Sequence, residues 1–249
     1  MFPLPYEPPL NWLLYGLFGL ELALLIGGLV LGKLNEEGTG RLPRPLRVVL
    51  SALLVAAALL GWLGGMRTAV VQGFALWILL GMAAGHIGDL IMAKLIPVPE
   101  RVVFGMIAFG VGHLLYTAAF LRLALQSGCA DPAVLFVVMG AMFVVCSWAW
   151  YTYVRQPARS KVLNVGSLVY GWLIGIMVAL TLVLAACDAH YLALAVGALL
   201  FLVSDFLLGN WVIRGHVWRS VNDAIWLTYV SGQLLIVYSV AAALNVALK

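Results

Sequence analysis

The chain has 249 residues, 64% of them hydrophobic and only 10% charged, with a net charge of +4 and a mean hydropathy of +1.07. No soluble domain of this length is so apolar, which excludes water-soluble enzymes and leaves a polytopic membrane protein. The positive balance is a topology signal and an attraction to anionic headgroups, and nothing in it points to nucleic acid as a partner.

The N-terminal MFPLPYEPPL is Pro-rich and lacks basic residues, and the apolar run after it has no small-residue cleavage pattern, so it reads as a retained helix over about 10–32. A charged connection with Pro43 and Pro45 leads into a second run over about 46–66, followed by a third over about 69–93. Pro97 and Pro99 precede the fourth, about 101–125; Pro132 opens the fifth, about 133–154; and Pro157 separates it from the sixth, about 162–186. The last two cover about 190–213 and 223–247. Each is apolar all round instead of alternating, so these are helices and not strands of a membrane barrel. The expected fold is an all-α membrane protein: an eight-transmembrane-helix bundle forming a single integral membrane domain over residues 1–249.

Eleven of the fourteen basic residues fall in the loops between helices one and two, three and four, five and six, and seven and eight, including Lys33, Arg41, Lys94, Arg101, Arg155 and Arg219. Arg67, Arg122 and Lys249 fall towards the other side. This is a multi-pass protein with both termini expected on the non-cytoplasmic side. Three cysteines rule out a disulfide framework, and no CxxC pattern suggests a zinc site. Cys146 lies mid-helix as an apolar filler, whereas Cys129 and Cys187 fall at outer helix ends and could pair in an oxidising compartment if the fold brings them together.

Few polar residues lie inside the apolar runs: Glu21 on helix one; His86 and Asp89 on three; His113 and Tyr116 on four; Ser204 and Asp205 on seven; Tyr229 and Gln233 on eight. Tyr116, Tyr229 and Ser204 are also ordinary helix-packing residues, and each histidine alone could be a hydrogen-bonded core residue. The two aspartates differ, because no Lys or Arg shares their membrane segments and an ionisable group at the bilayer centre costs about 3 kcal/mol or more. At about 1.5 Å per residue from the inner helix ends, Asp89 lies roughly 7 Å deep, Asp205 and His86 about 12 Å, and His113 about 18 Å. All belong to the cytoplasmic half. Gly81 and Gly197 each precede their aspartate by eight residues, and His113 and Tyr229 each follow theirs by twenty-four, which suggests two parallel four-helix repeats with the site between them.

Two carboxyls in a low-dielectric site can divide the roles of acid and base. Glycosidases use such a pair against an oxocarbenium-like centre, and a vinyl ether needs the same equipment with no metal or organic cofactor. Rival readings are a proton-coupled transporter, whose relays use buried Asp and His, an intramembrane aspartyl protease, another lysolipid hydrolase, and, last, a metal hydrolase with His86, His113, Asp89 and Asp205 as ligands. Against the protease, the residues ending in Asp89 read HIGD instead of Gly-x-Gly-Asp, and FLVSD ends in Ser-Asp instead of Tyr-Asp.

Four stretches carry a family resemblance: GHIGDLIM with Asp89, FGVGHLLYTAAF with Phe109, His113 and Tyr116, GALLFLVSDFLLG with Asp205, and TYVSGQLLIVYS with Tyr229 and Gln233. In order and spacing they resemble the lysoplasmalogenase (YhhN-like) family of multi-spanning membrane hydrolases, with Met92 where Leu is usual. The resemblance implies that Asp89 and Asp205 carry catalysis. It implies lysoplasmenylcholine or lysoplasmenylethanolamine as the lysophospholipid substrate drawn from the membrane, cleaved to a fatty aldehyde and glycerophosphocholine or glycerophosphoethanolamine. Tyr229, Gln233 and His113 would orient the acids, with Tyr116, Ser204, Glu21 and His86 as further candidates. Lys94, Arg101, Arg155 and Arg219 are candidates for the headgroup phosphate.

Overall fold

A computed structural model describes residues 4–65 and 68–247, so Arg67 and Lys249 lie outside the described residues. Eight helices among the described residues are long and apolar enough to cross a membrane. They are α1 (Pro8–Leu31), α2 (Arg44–Gly64), α3 (Ala69–Met92), α4 (Arg101–Gln126), α5 (Pro132–Ala149), α6 (Lys161–Cys187), α7 (Leu192–Val212) and α8 (Val221–Ala247). Proline occupies the first turn of α1, α2 and α5, where its missing N–H has no intrahelical partner to lose. Side-chain oxygens of Thr68, Asp131 and Ser160 cap α3, α5 and α6 by accepting from Val71, Val134 and Leu163 amides.

α5 continues into a π-helical turn over Trp150–Val154, which the sequence reading took as ordinary helix. Carbonyls freed there are taken up by α7 and the residues after it: Asn210 donates to Tyr153 O at 2.6 Å, and Arg214 donates to Thr152 O. The turn sets Val154 against Gly209.

Six helices form a closed ring in which α2 packs on α3, α3 on α4, α4 on α6, α6 on α7, α7 on α8, and α8 back on α2. α1 lies outside against α2 and α8, and α5 lies outside against α6. The two most extensive interfaces, α3 with α4 and α7 with α8, are counterparts in the two halves. Both depend on glycine, since lipid supplies no hydrophobic drive for helix association and close backbone approach must supply contact instead. A Cβ on Gly112 would stand 3.0 Å from Gly81 O, and one on Gly232 would stand 2.8 Å from Gly197 O.

These glycine pairs correct the register of the repeat. Gly81 matches Gly197, as the spacing to the aspartates implies, but Gly112 matches Gly232, so His113 corresponds to Gln233 and Phe109 to Tyr229. The expected equivalence of His113 with Tyr229 is four residues out. α3 ends three residues after Asp89 and α7 seven after Asp205, so α7 runs about one turn further before the chain reverses.

The end of the bundle where α1 begins and α8 ends also holds a disulfide between Cys129, just after α4, and Cys187, the last residue of α6, with Cα atoms 5.7 Å apart. Cys146 is free and buried. Arg122 lies at that end too, its guanidinium against Gly73 of α3. At the opposite, basic end the α1–α2 loop turns on Asn35, whose Oδ1 accepts from Thr39 N at 2.8 Å. That loop clamps the start of α8: Thr39 O accepts from Asn222 N at 2.8 Å, and Arg41 pairs with Asp223 at 2.8 Å.

Candidate active site

Gly81, Gly85, Gly88 and Asp89 lie at three- and four-residue spacings, so α3 presents one stripe of missing side chains ending in a carboxyl. The stripe admits α4 closely enough that the Phe109 ring covers Gly88, where a Cβ would stand 2.8 Å from it. On α7, Gly197 does the same for α8, and Ser204 Oγ donates to Ile225 O at 3.1 Å, clamping α7 to α8 beside Asp205.

Each aspartate accepts from a tyrosine on another helix. Tyr229 Oη donates to Asp89 Oδ2 at 2.7 Å, and Tyr170 Oη, on α6, donates to Asp205 Oδ2 at 2.5 Å. A histidine completes each group. His113 Nε2 lies 3.0 Å from Tyr170 Oη and 3.5 Å from Asp205 Oδ2. With the tyrosine proton committed to the carboxylate, Nε2 is left to act as donor. His86 Nδ1 lies 2.7 Å from Ser51 Oγ on α2, and Ser51 stands beside Asp89, so a hydroxyl lies between this histidine and its acid. Phe201 stands between the two groups, with its ring centroid 4.8 Å from His113 and 5.4 Å from Tyr229.

Both acids line one cavity of about 380 Å³, together with Ser204, Tyr229, Phe109, Trp211 and Trp226. Asp205 also lines a narrow cleft between α4, α6 and α7 whose other walls are mostly apolar, including Met106, Ile174, Phe206 and Val154. The two spaces share Met92, Phe109, Asp205, Leu208 and Val212, so Asp205 stands at their junction. A polar chamber holding two carboxyls and continuing into an apolar slot suits an amphiphile whose reactive bond lies between head and chain.

The remaining candidates separate. Tyr116 Oη donates to Gln233 Oε1 at 2.8 Å, a latch between α4 and α8 in which neither residue lines the cavity. Glu21 is fully buried on α1, with both carboxylate oxygens lacking a hydrogen-bond partner, and it lies outside the cavity. His86 and His113 engage different helices, and no group of three or more His, Cys, Asp or Glu side chains suited to a metal forms among the described residues. Lys94 and Arg101 line the cavity, but Arg155 and Arg219 do not, and Arg155 stacks over Tyr151 at 5.1 Å.

Sequence reasoning missed Tyr170, Ser51 and the cavity-lining pair Arg44 and Arg47. The available signal for Tyr170 was its helical face: Ser167, Tyr170, Gly171 and Ile174 line the apolar cleft at three- and four-residue spacings.

No curated protein and no solved structure matches the chain. A family model described as the YhhN family matches residues 42–240, a span that takes in α3, α4 and α7 whole and α8 as far as Val240, and leaves out α1 with Glu21. The chain belongs to the YhhN family, the lysoplasmalogenase family that those helices resemble.

Proposed function

We propose that the protein hydrolyses the vinyl ether bond of lysoplasmalogens. The observation that carries this reading is the position of Asp205, which faces Asp89 across a polar chamber and also borders an apolar slot. A lysoplasmalogen has its vinyl ether beside the glycerol, between the polar head and the aliphatic chain. With the head in the chamber and the chain in the slot, that bond lies at the acids.

One carboxylic acid protonates the outer alkene carbon, leaving an oxocarbenium ion at the carbon bonded to oxygen. The other carboxylate removes a proton from water as that water adds to this carbon. The hemiacetal then loses its glycerol oxygen, which takes a proton, giving aldehyde and glycerophospho-alcohol. Water is the only co-reactant.

Asp205 is assigned to water activation, because His113 Nε2 lies 3.5 Å away as a second donor beside the Tyr170 hydroxyl. Asp89, which accepts from the Tyr229 hydroxyl, is assigned to protonation. The basic end is taken as cytoplasmic, and the disulfide at the other end fits an oxidising compartment.

The test is aldehyde release by purified protein from lysoplasmenylethanolamine, with the matching ester and saturated-ether lysolipids alongside. Vinyl ether turnover alone is expected. Turnover of the ester instead would replace this reading by a lysophospholipase, and solute flux into liposomes without lipid cleavage would replace it by a transporter.

A further inference from the structure

The mouth of the cavity carries more positive charge than topology requires. Arg44 and Arg47 from the first turn of α2, Lys94 just after α3, and Arg101 at the start of α4 all line it. Asp89 and Asp205 are the only acids among the described lining residues. None of the four cations is in a salt bridge among the described residues, whereas Arg41, nearby in the chain, is paired with Asp223 at 2.8 Å. The Nε groups of Arg47 and Arg101 are buried without a hydrogen-bond partner. Arg47 otherwise rests on the Trp226 ring at 5.7 Å and reaches Asn222 Oδ1 at 3.5 Å.

Buried donors without acceptors are costly unless something supplies oxygens, and four like charges around one opening repel unless an anion joins them. Lys94 adds a separate sign. Its φ of 63° puts a side-chain-bearing residue in left-handed backbone, where glycine or asparagine is the usual choice, and it does so at the lip of the cavity. α2 and α4 also begin here, and neither Pro43 nor Glu100 caps them with a side-chain hydrogen bond, so first-turn amides add to the positive field.

We infer that this mouth is a phosphate-binding site that holds the headgroup phosphate of a single-chain lipid and does not read the alcohol beyond it. Phosphate oxygens satisfy arginine donors by charge-assisted hydrogen bonds. The ammonium of choline or ethanolamine meets no carboxylate of the cavity lining there, since the two acids among the described lining residues lie deeper, at the reaction centre. Selectivity therefore falls on the phosphate, and a phosphomonoester with its extra charge binds at least as well as either diester. The choice of single-chain lipid rests on the vinyl ether reading; the phosphate site does not.

The experiment uses the full chain in detergent and saturated 1-O-hexadecyl lipids, which contain no cleavable bond. Competition against a fluorescent lysophospholipid gives affinities for 1-O-hexadecylglycerol, its 3-phosphate, its phosphocholine and its phosphoethanolamine. The three phosphate lipids are expected to bind at least about tenfold tighter than hexadecylglycerol, with choline and ethanolamine within about threefold of each other. Arg47→Gln and Arg101→Gln should narrow that gap while leaving hexadecylglycerol binding unchanged. Lys94→Asn, which suits the left-handed backbone, provides a variant expected to fold and to narrow the gap in the same sense.

Equal binding of hexadecylglycerol, or variants that weaken all four lipids alike, would overturn the phosphate site. Displacement of the lipid by submillimolar inorganic phosphate would assign the cations to the free anion and overturn the headgroup assignment. Phosphate-dependent binding in a protein that cleaves no vinyl ether would leave this inference standing and remove the proposed chemistry.

Discussion

The two halves of the bundle place an aspartate at corresponding points of α3 and α7 and surround them differently. Asp89 accepts from Tyr229, and its histidine engages the Ser51 hydroxyl instead of the acid. Asp205 accepts from Tyr170, and His113 touches both that tyrosine and the carboxylate. Asp89 lines the chamber alone, while Asp205 lines chamber and slot together. A duplicated framework with unequal surroundings is a way to make one acid and one base from identical side chains.

The largest test of that contrast removes the carboxylates. Asp89→Asn and Asp205→Asn are each expected to lower kcat for aldehyde release by about 10³-fold, in the range of general acid and base contributions. The double variant should be little worse than either single one, because two groups acting in one step are not additive. Full turnover by either variant, with folding confirmed by its elution from size exclusion, would end the two-acid mechanism.

Next come the tyrosines. Tyr170→Phe removes the one hydroxyl joining Asp205 to His113, so a loss of about 10- to 100-fold in kcat is expected, matched by His113→Gln and not deepened when the two are combined. Tyr229→Phe should cost less, since its hydroxyl holds Asp89 without tying a histidine to it. Steady-state kinetics on the three variants would reverse the comparison if Tyr229→Phe proved the more damaging.

Much of the frame was legible in the sequence because the bilayer imposes it. A run of about twenty apolar residues bounded by proline or charge has few alternatives to a spanning helix, and two unpaired acids in such runs are conspicuous. Azimuth was not legible. Lys94, Arg101, Arg155 and Arg219 all lie at the basic end, yet only the first two face the cavity, because charge counting gives depth and side without rotation about the bundle axis. Tyr170 was missed for the same reason: one tyrosine in an apolar helix looks like packing until α7 brings Asp205 against it. The repeat register failed on the one added turn of α7, which counting from the aspartates does not reveal.

A smaller effect is expected at the far end. Reduction of the Cys129–Cys187 bond, or Cys129→Ser with Cys187→Ser, should lower the unfolding midpoint by an amount corresponding to about 2–4 kcal/mol, while turnover at moderate temperature stays unchanged. A thermal scan with parallel assay checks both. Lost turnover in a protein still folded at the assay temperature would mean that the α4–α6 junction positions His113 and Tyr170, and that the two ends of the bundle are coupled.

The smallest effect separates the histidines. Ser51→Ala removes the hydroxyl that His86 engages, but Tyr229 still holds the acid, so about a fivefold loss of turnover at most is expected, in line with a hydrogen bond of about 1 kcal/mol. His86→Ala should stay within about twofold of the parent, because His86 engages Ser51 and leaves the Tyr229–Asp89 hydrogen bond intact. His86 is half-buried and His113 fully buried, so the same truncation at His113 leaves a cavity beside a carboxylate that keeps only its tyrosine donor. If His86→Ala were as damaging as His113→Gln, the serine would be a relay and not a spacer, and both acids would work through histidine. The asymmetry that assigns protonation to Asp89 would then have no chemical basis.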